Sequence, residues 1–572
     1  MSRKSSGKPS IKRVERVQKN GDIYVYEVTS QYNPQKRYNE HVSSRLLGKI
    51  LPGESEMIPT RPRRNPKKDV QKAERINVGV TDILEWIGKE SGIDKDIYDV
   101  ADKGTAQKIL SIARFWMANP DKTIRRIEEW QLTHDIPYQE GLSEDSCYQL
   151  MKQLGLDISV SQKYFQKRAA HAPSKASVAV DTTTISSYSE HLNDVRYGYN
   201  KDGNGLATVK LLTMFSIEDH QPIAFMRQPG NIPDVTSVIN ALRQLSVLGM
   251  DKPLVVLDGG FFSDDNILAF MQNHTKFLMR ASVNGRWIRP ELESLIDTIE
   301  MPSHVCPYDS NVYGDTRTVT ITFTTERKRT RNGIVKGECV TKDHRIYLYF
   351  FYNVDKARIE KAALLDEIKA VKQQLEQGVD EALLSKSERS VIKNYLNITS
   401  TSTRFSISMD DEAIMKKTQY FGCFVLVSNR KLDTFDAFRE YQLREKTEEG
   451  FRIDKQYNDA HVTRSKTTTT LEGRFFCQFV AYGYEEYFQN AINRVKSNLA
   501  IPNGDPAHDN SDTFKREKAL LNWLNKMSIA KLFDWFDAIQ DTAVKSALAK
   551  ARWRTETTER DRLFLRKLGM IK

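Results

Sequence analysis

From residue 178 onward the chain alternates apolar runs with amphipathic stretches, and that rhythm restricts the possible folds more than any other feature. VAVDTTTIS, LATVKLLTMFSIED and QPIAFMRQ read as three strands, with a turn around Asp219, His220 and Gln221. PDVTSVINALRQLSVLG reads as a helix closed by Gly249, and PLVVLDGGFFS as a short buried strand breaking at Gly259 and Gly260. SDDNILAFMQNH is then helical and KFLMRAS is a strand. Three strands, a helix and a further strand predict an α/β fold around a mixed sheet. The rhythm breaks near residue 283 and resumes near 419 with the strand YFGCFVLVSN and a helix. Between them lie TRTVTITFTT, RIYLYFFYN and the charged helix ARIEKAALLDEIKAVKQQLEQG, so an insertion between two parts of one sheet is the simplest reading.

The flanks differ from this centre. Residues 1–20 read as disordered, DIYVYEVTSQYN and KRYNEHVSSRLLGKI as short strands, and RPRRNPKK as a basic linker. TDILEWIGKESG opens with Thr81 or Asp82 as a cap and closes at Gly92; TAQKILSIARFWMANP runs to Pro120. SEDSCYQLMKQLG has Ser143 as N-cap and Gly155 just past its end. This helical block suits DNA binding and plain packing equally. The expected divisions are therefore a basic tail, small β unit and linker (1–75), a helical domain (76–172), a first core part (173–282), an insertion (283–418), a second core part (419–500) and a helical C-terminal region (501–572).

At 572 residues the chain has room for several domains, and 39% hydrophobic with 28% charged residues suits a globular protein. A formal charge of +11 attracts polyanions, chiefly nucleic acid. The longest apolar run, Phe475 to Tyr484, is too short for a membrane helix, and the N-terminus lacks the apolar segment of a secretory signal. Cys147, Cys306, Cys339, Cys423 and Cys477 form no CxxC pair, which argues against a zinc ribbon or disulfide framework and for a cytoplasmic setting. No G-x-S-x-G, HExxH or Walker-type loop is present.

Two apolar strands end in carboxylates, Asp181 after VAV and Asp258 after VVL. Functional groups collect at the carboxyl ends of strands in α/β sheets, although an aspartate there also caps turns. A third acid comes from YQLREKTEEGFRIDK, where Tyr441, Arg444, Glu448 and Lys455 are spaced by three, four and seven residues. At roughly 100° per residue they fall at about 0°, 300°, 340° and 320°, within one arc of about 60° on a helix. Arg444 and Glu448 alone would make an ordinary surface ion pair of the i,i+4 kind. Three carboxylates drawn together repel unless a cation joins them, and oxygen ligands of this hardness suit Mg²⁺. Two such ions about 4 Å apart can activate the attacking oxygen at a phosphodiester and stabilise the leaving one. Arg444 and Lys455 would then grip phosphates, with Tyr441 donating a hydrogen bond or stacking.

With that spacing, the chain resembles the DDE transposases of bacterial insertion sequences, in particular the insertion-sequence-four group with its Y-(2)-R-(3)-E-(6)-K signature. Tyr441, Arg444, Glu448 and Lys455 match the signature without departure, and the resemblance extends over VAVDTTT, RYGYNKDG, PGNIPD and VVLDGGFF. It implies an RNase H-like catalytic core of mixed-sheet α/β type, interrupted by a large β-rich insertion domain and flanked by helical regions. It implies Asp181, Asp258 and Glu448 as catalytic metal ligands for two Mg²⁺ ions, with Mn²⁺ as a substitute, and Tyr441, Arg444 and Lys455 as DNA-binding residues. The implied activity is endonucleolytic cleavage at the inverted repeats of the element, through a hairpin, followed by strand transfer into target DNA by a homodimer assembled on double-stranded DNA. Trp287, near the start of the insertion, is a candidate for stacking on a flipped base, with a core role as the plainer reading. A nuclease that cuts without joining, or a non-enzymatic DNA-binding descendant of a transposase, would share much of this sequence.

Overall fold

The computed structural model describes residues 9–571 apart from 20, 34, 37, 61–72, 174–175, 190–191, 193, 199, 201–202, 251–252, 327–338, 402–403, 458–461, 464–466, 501–511 and 546–549. The chain divides into two compact units, residues 1–76 with 541–554, and residues 77–540 with 555–572. Among the described residues no helix is long and apolar enough to cross a membrane.

The first unit is built from strands. β1 (Ser10–Val17), β2 (Ile23–Asn33), β3 (Tyr38–Ile50) and β4 (Ile58–Pro59) form an antiparallel sheet in sequence order. Ser10–Val17 thus corrects the reading of residues 1–20 as disordered. Its side chains face solvent on both sides, so it carries no apolar alternation, and backbone pairing with β2 makes it a strand. β5 (Ala73–Asn77) joins the hairpin Gln540–Lys545/Lys550–Arg554 in a three-stranded sheet. That hairpin departs from the all-helical expectation for the C-terminal region.

In the second unit α1 (Gly79–Glu90), α2 (Ile93–Val100), α3 (Lys103–Ala118), α4 (Ile127–Trp130), α5 (Glu144–Leu156) and α6 (Ser159–His171) form the helical block. Ser143 caps α5 through a capping box, as expected. Thr81 and Asp82 lie inside the first turn of α1, whose N-cap is Val78; the Thr81 hydroxyl bonds back to the Val78 carbonyl at 3.0 Å. Gly155 lies within α5 rather than beyond it, for a packing reason given below.

Then follow β6 (Ser177–Ser187), β7 (Thr208–Ser216), β8 (Gln221–Pro229), α7 (Asp234–Val247), β9 (Leu254–Leu257), α8 (Asp264–Gln272) and β10 (Lys276–Ala281). Gly249, at φ 73°, closes α7 with paired bonds back to Leu245 and Ser246. The chain continues through α9 (Arg289–Leu295), β11 (Val305–Cys306), β12 (Asp309–Glu326), β13 (Cys339–Asn353), α10 (Val354–Glu376), α11 (Lys386–Tyr395), β14 (Leu396–Thr401), β15 (Arg404–Met409) and α12 (Asp411–Thr418). β16 (Cys423–Ser428), α13 (Thr434–Tyr457), β17 (Val462–Thr463), α14 (Thr468–Ala500), α15 (Asp512–Leu524), α16 (Ile529–Phe536) and α17 (Glu559–Leu568) complete it.

One large mixed sheet runs β11-β12-β13-β16-β10-β9-β6-β7-β8, with β17 added beside β6. β6, β9 and β10 are mutually parallel neighbours; β7 and β8 return antiparallel on one side and β16 on the other. Three strands from the interrupting stretch, β11 to β13, extend this same sheet, because β13 pairs with β16 from Tyr347–Ser428 to Tyr352–Cys423. The segment 354–418 gathers its own apolar cluster around Ile368, Val371, Val391, Ile392 and Ile407.

α13 lies on the face of the sheet formed by Ala179, Val256, Leu278, Leu426 and Phe351, inserting Ala437, Phe438 and Tyr441. α14 crosses α5 at glycines on both helices. A Cβ on Gly155 would meet the Thr469 carbonyl oxygen at 1.8 Å, and one on Gly473 the Met151 carbonyl oxygen at 1.9 Å. Backbone-to-backbone approach of this kind requires glycine, so Gly155 is a packing residue and not a helix stop. Phe165, Phe225, Phe476 and Phe479 meet mostly edge to face where α6, β8 and α14 converge. A partly buried ion pair, Arg114 to Asp94 at 2.6 Å, and a buried one, Arg168 to Asp96 at 3.2 Å, join the helices.

Candidate active site

The two aspartates become neighbours through strand register. β6 and β9 run parallel with Val180 opposite Leu257, so Asp181 and Asp258 are the next residues on each. Adjacent strands stand about 4.8 Å apart, which sets the separation of these backbones. β10 pairs Met279 with Leu257, so Arg280 follows in the same row. Side chains alternate along a strand. Ala179 and Val256 belong to the apolar patch beneath α13, and Asp181 and Asp258 therefore continue that same face two residues further on. Leu278 does the same for Arg280.

Asp258 is at a strand end as the sequence suggested, and its carboxylate accepts from the Gly260 backbone N–H in the turn. Asp181 is not: β6 runs on to Ser187, paired first with β7 and finally with β17. What ends beside Asp181 is its neighbour β9, which opens one side of the row and leaves Asp181 partly accessible. The Thr213 hydroxyl donates to the Asp181 carbonyl at 3.3 Å, tying the opposite side to β7.

Tyr441 and Arg444 are buried, at 4% and 3% exposure. The Arg444 guanidinium lies 4.9 Å over the Tyr441 ring, and its Nη2 donates to the phenol oxygen at 3.4 Å. Burial pushes the Tyr441 phenol above its ordinary value against the lowering pull of Arg444, while Glu445, Arg280 and Asp258 also act on it. The last two place the phenol within electrostatic reach of the aspartate row. Glu448 follows Arg444 by one turn and Lys455 by three in the continuous helix α13, but the side chains of both lie outside the described residues. Among the described residues, which do not include the Glu448 side chain, no group of three or more His, Cys, Asp and Glu side chains is arranged to hold a metal. Trp287 is half-buried; it packs on Phe262 with ring centroids 5.9 Å apart and donates to Asp264 at 3.4 Å.

Arg280 escaped the sequence reading. Its signal was present, since KFLMR is a strand beside VVLD and ends in a cation, but only the pairing of β10 with β9 reveals which residue it meets.

Nothing among curated proteins matches the chain. Among solved structures it is similar to a piggyBac transposase synaptic complex with hairpin DNA determined by cryo-electron microscopy, at 8% identity and a TM-score of 0.31, over 79% of this chain and 78% of that one. The family described as "Transposase DDE domain" matches residues 173–482, which span β6, β9 and α13. The chain belongs to that family of transposase DDE domains.

Proposed function

We propose that the protein is a DNA transposase of the insertion-sequence-four group that cuts at the ends of its element and joins them to target DNA, passing through a hairpin. The observation that carries this reading is the placement of Asp181 and Asp258 in consecutive register on parallel strands, on the face covered by the helix of Tyr441, Arg444, Glu448 and Lys455. The run β8-β7-β6-β9-β10, antiparallel then parallel, supports an RNase H-like core. The interruption between β10 and β16 supports an inserted region.

Asp181 and Asp258 present hard oxygen donors side by side, with Arg280 next in the row, a donor set that fits divalent cations of the magnesium type. Asp181, Asp258 and Glu448 would hold them. Bound Mg²⁺ would supply Lewis acidity at the scissile phosphate. The rest falls to the chain. The turn at Gly259 and Gly260 holds the Asp258 carboxylate through the Gly260 N–H. Tyr441 packs α13 against the sheet with the Arg444 guanidinium over its ring, and Arg444 would meet phosphate entering beside the acids. Lys455, three turns beyond Arg444 along the helix, would contact the flanking phosphate. Trp287 borders the turn after Asp258 and would stack on a displaced base. Joining two ends requires two catalytic centres, hence a homodimer on DNA.

Glu448→Gln tests this. It removes a charged ligand with little change in volume, so duplex binding and melting should persist while Mg²⁺-dependent cleavage of an end substrate disappears. Cleavage at the parental rate would end the reading. Cleaved ends without any joined product in the parent would assign a nuclease instead.

A further inference from the structure

Strand register sorts the charges of the first sheet onto opposite faces. β1 and β2 pair Lys12 with Val28, Val14 with Tyr26 and Arg16 with Tyr24. β2 and β3 pair Tyr24 with Lys49, Tyr26 with Leu46 and Ser30 with His41, with bulges that preserve the facing of the paired residues. Alternation therefore puts Lys12, Arg16, His41, Lys49, Tyr24 and Tyr26 on one face. Glu15, Glu27 and Glu40, the carboxylates of β1 to β3, all fall on the other. There the cations are matched, with Arg13 3.8 Å from Glu15 and Arg45 opposite Glu27. Asp22, in the turn between β1 and β2, is buried and lies 3.8 Å from Lys49.

Lys12, Arg16 and His41 are exposed, and Tyr24 and Tyr26 half-buried. The Arg16 guanidinium lies 5.1 Å over the Tyr26 ring, so the stacked tyrosine presents a cation outward rather than a bare ring. Lys12 and Arg16 are four residues apart on one strand, about 13 Å at the usual rise. That is close to the roughly 12 Å width of the major groove of DNA, so the two could reach phosphates on both of its edges.

We propose that this face of the first sheet, bearing Lys12, Arg16, Tyr24, Tyr26 and Lys49, binds the phosphodiester backbone of duplex DNA. The proposal rests on the transposase reading for its ligand and adds a surface outside the transposase domain and outside the helical block. Its chemistry is sequence-independent, since ammonium, guanidinium and phenol groups all bond phosphate oxygens, which every sequence presents alike.

The full chain is titrated against a fluorescent mixed-sequence duplex of about 30 base pairs over a range of salt concentrations and followed by anisotropy. Lys12→Gln with Arg16→Gln should weaken binding about ten-fold near 0.1 M salt and make the log–log salt dependence shallower by about two. Arg13→Gln with Arg45→Gln, the same loss of charge on the other face of the same sheet, should stay within about two-fold of the parent. Equal losses from both pairs, or none from the first, overturn the proposal. Loss confined to a single-stranded probe also overturns it and assigns the face to unpaired strands. In the unaltered chain, duplex should protect Lys12 but not Lys36 from acetylation; equal modification of both with DNA bound overturns the proposal without any substitution. A parent that binds no duplex sinks the transposase reading itself, whereas a parent that binds while the first pair has no effect sinks only this surface.

Discussion

The two largest sheets of the molecule solve the burial problem in opposite ways. In the large sheet, β7 and β9 are buried along their whole length, with helices supplying the covering side chains. In the first sheet, Val25 is the only buried hydrophobic side chain among the described residues before 77. A sheet closed by helices fixes each side chain by packing, which is what a row of carboxylates needs if it is to keep its spacing. A sheet with open faces can only sort side chains by alternation, and the outcome is a surface of one charge backed by a mixed one. Position is the product of the first arrangement, and electrostatic character of the second.

If that contrast is right, the largest stability effect should come from the close helix crossing over the large unit. Gly473→Ala drives a methyl into the Met151 carbonyl and should cost about 3 kcal/mol, read as a lower urea midpoint for the second unit. An unchanged midpoint would mean that α5 and α14 slide apart at little cost. Next come matched valines, Val256 in β9 and Val25 in β2, both fully buried. Val256→Ala should cost about 2 kcal/mol, and Val25→Ala about 1 kcal/mol because its surroundings can collapse onto the space left behind. Hydrogen exchange resolved to the two units would read both, and equal losses would erase the distinction.

The smallest expected effect concerns protons. Burial in α14 pushes the Glu486 carboxyl up to about 8, with Glu485 beside it raising it further and the Tyr482 hydroxyl opposing. Glu486 keeps its proton in the folded chain to about pH 8 but loses it in the unfolded chain near 4.5. Its contribution is therefore whole below that lower value and is lost as pH rises toward 8. Glu486→Gln should flatten the fall in stability across that window and exceed the parent at pH 8, measured by urea titration at several pH values. In the first unit Glu40 moves the other way, lowered by its hydrogen bonds to Lys36 and Asn33 at a partly exposed position. A parental fall in stability across the window that the substitution leaves unaltered would place its source elsewhere.

Much of this was legible along the chain because its signals are local. The period of two in VAVD and VVLD, the period of 3.6 in YQLREK, the Ser143 cap and the Gly249 stop each involve residues within a turn or two of one another. β1 was missed because a strand exposed on both faces leaves no apolar alternation to read. Gly155 was misread because a glycine required by another helix looks the same in sequence as one that ends its own. Arg280 was missed because its importance lies in a neighbouring strand.

The sequence alone determined which segments are strands and helices through the central region, that two apolar runs lead into aspartates, only Asp258 proving to stand at a strand end, and that four signature residues share one helical arc. Tertiary structure decided that Asp181 and Asp258 are adjacent, that Arg280 stands beside them, that Tyr441 and Arg444 are buried, and that β11 to β13 extend the central sheet. The reason is that side-chain periodicity is a property of a few consecutive residues, whereas register between strands distant in the chain is chosen by the packing of the whole sheet.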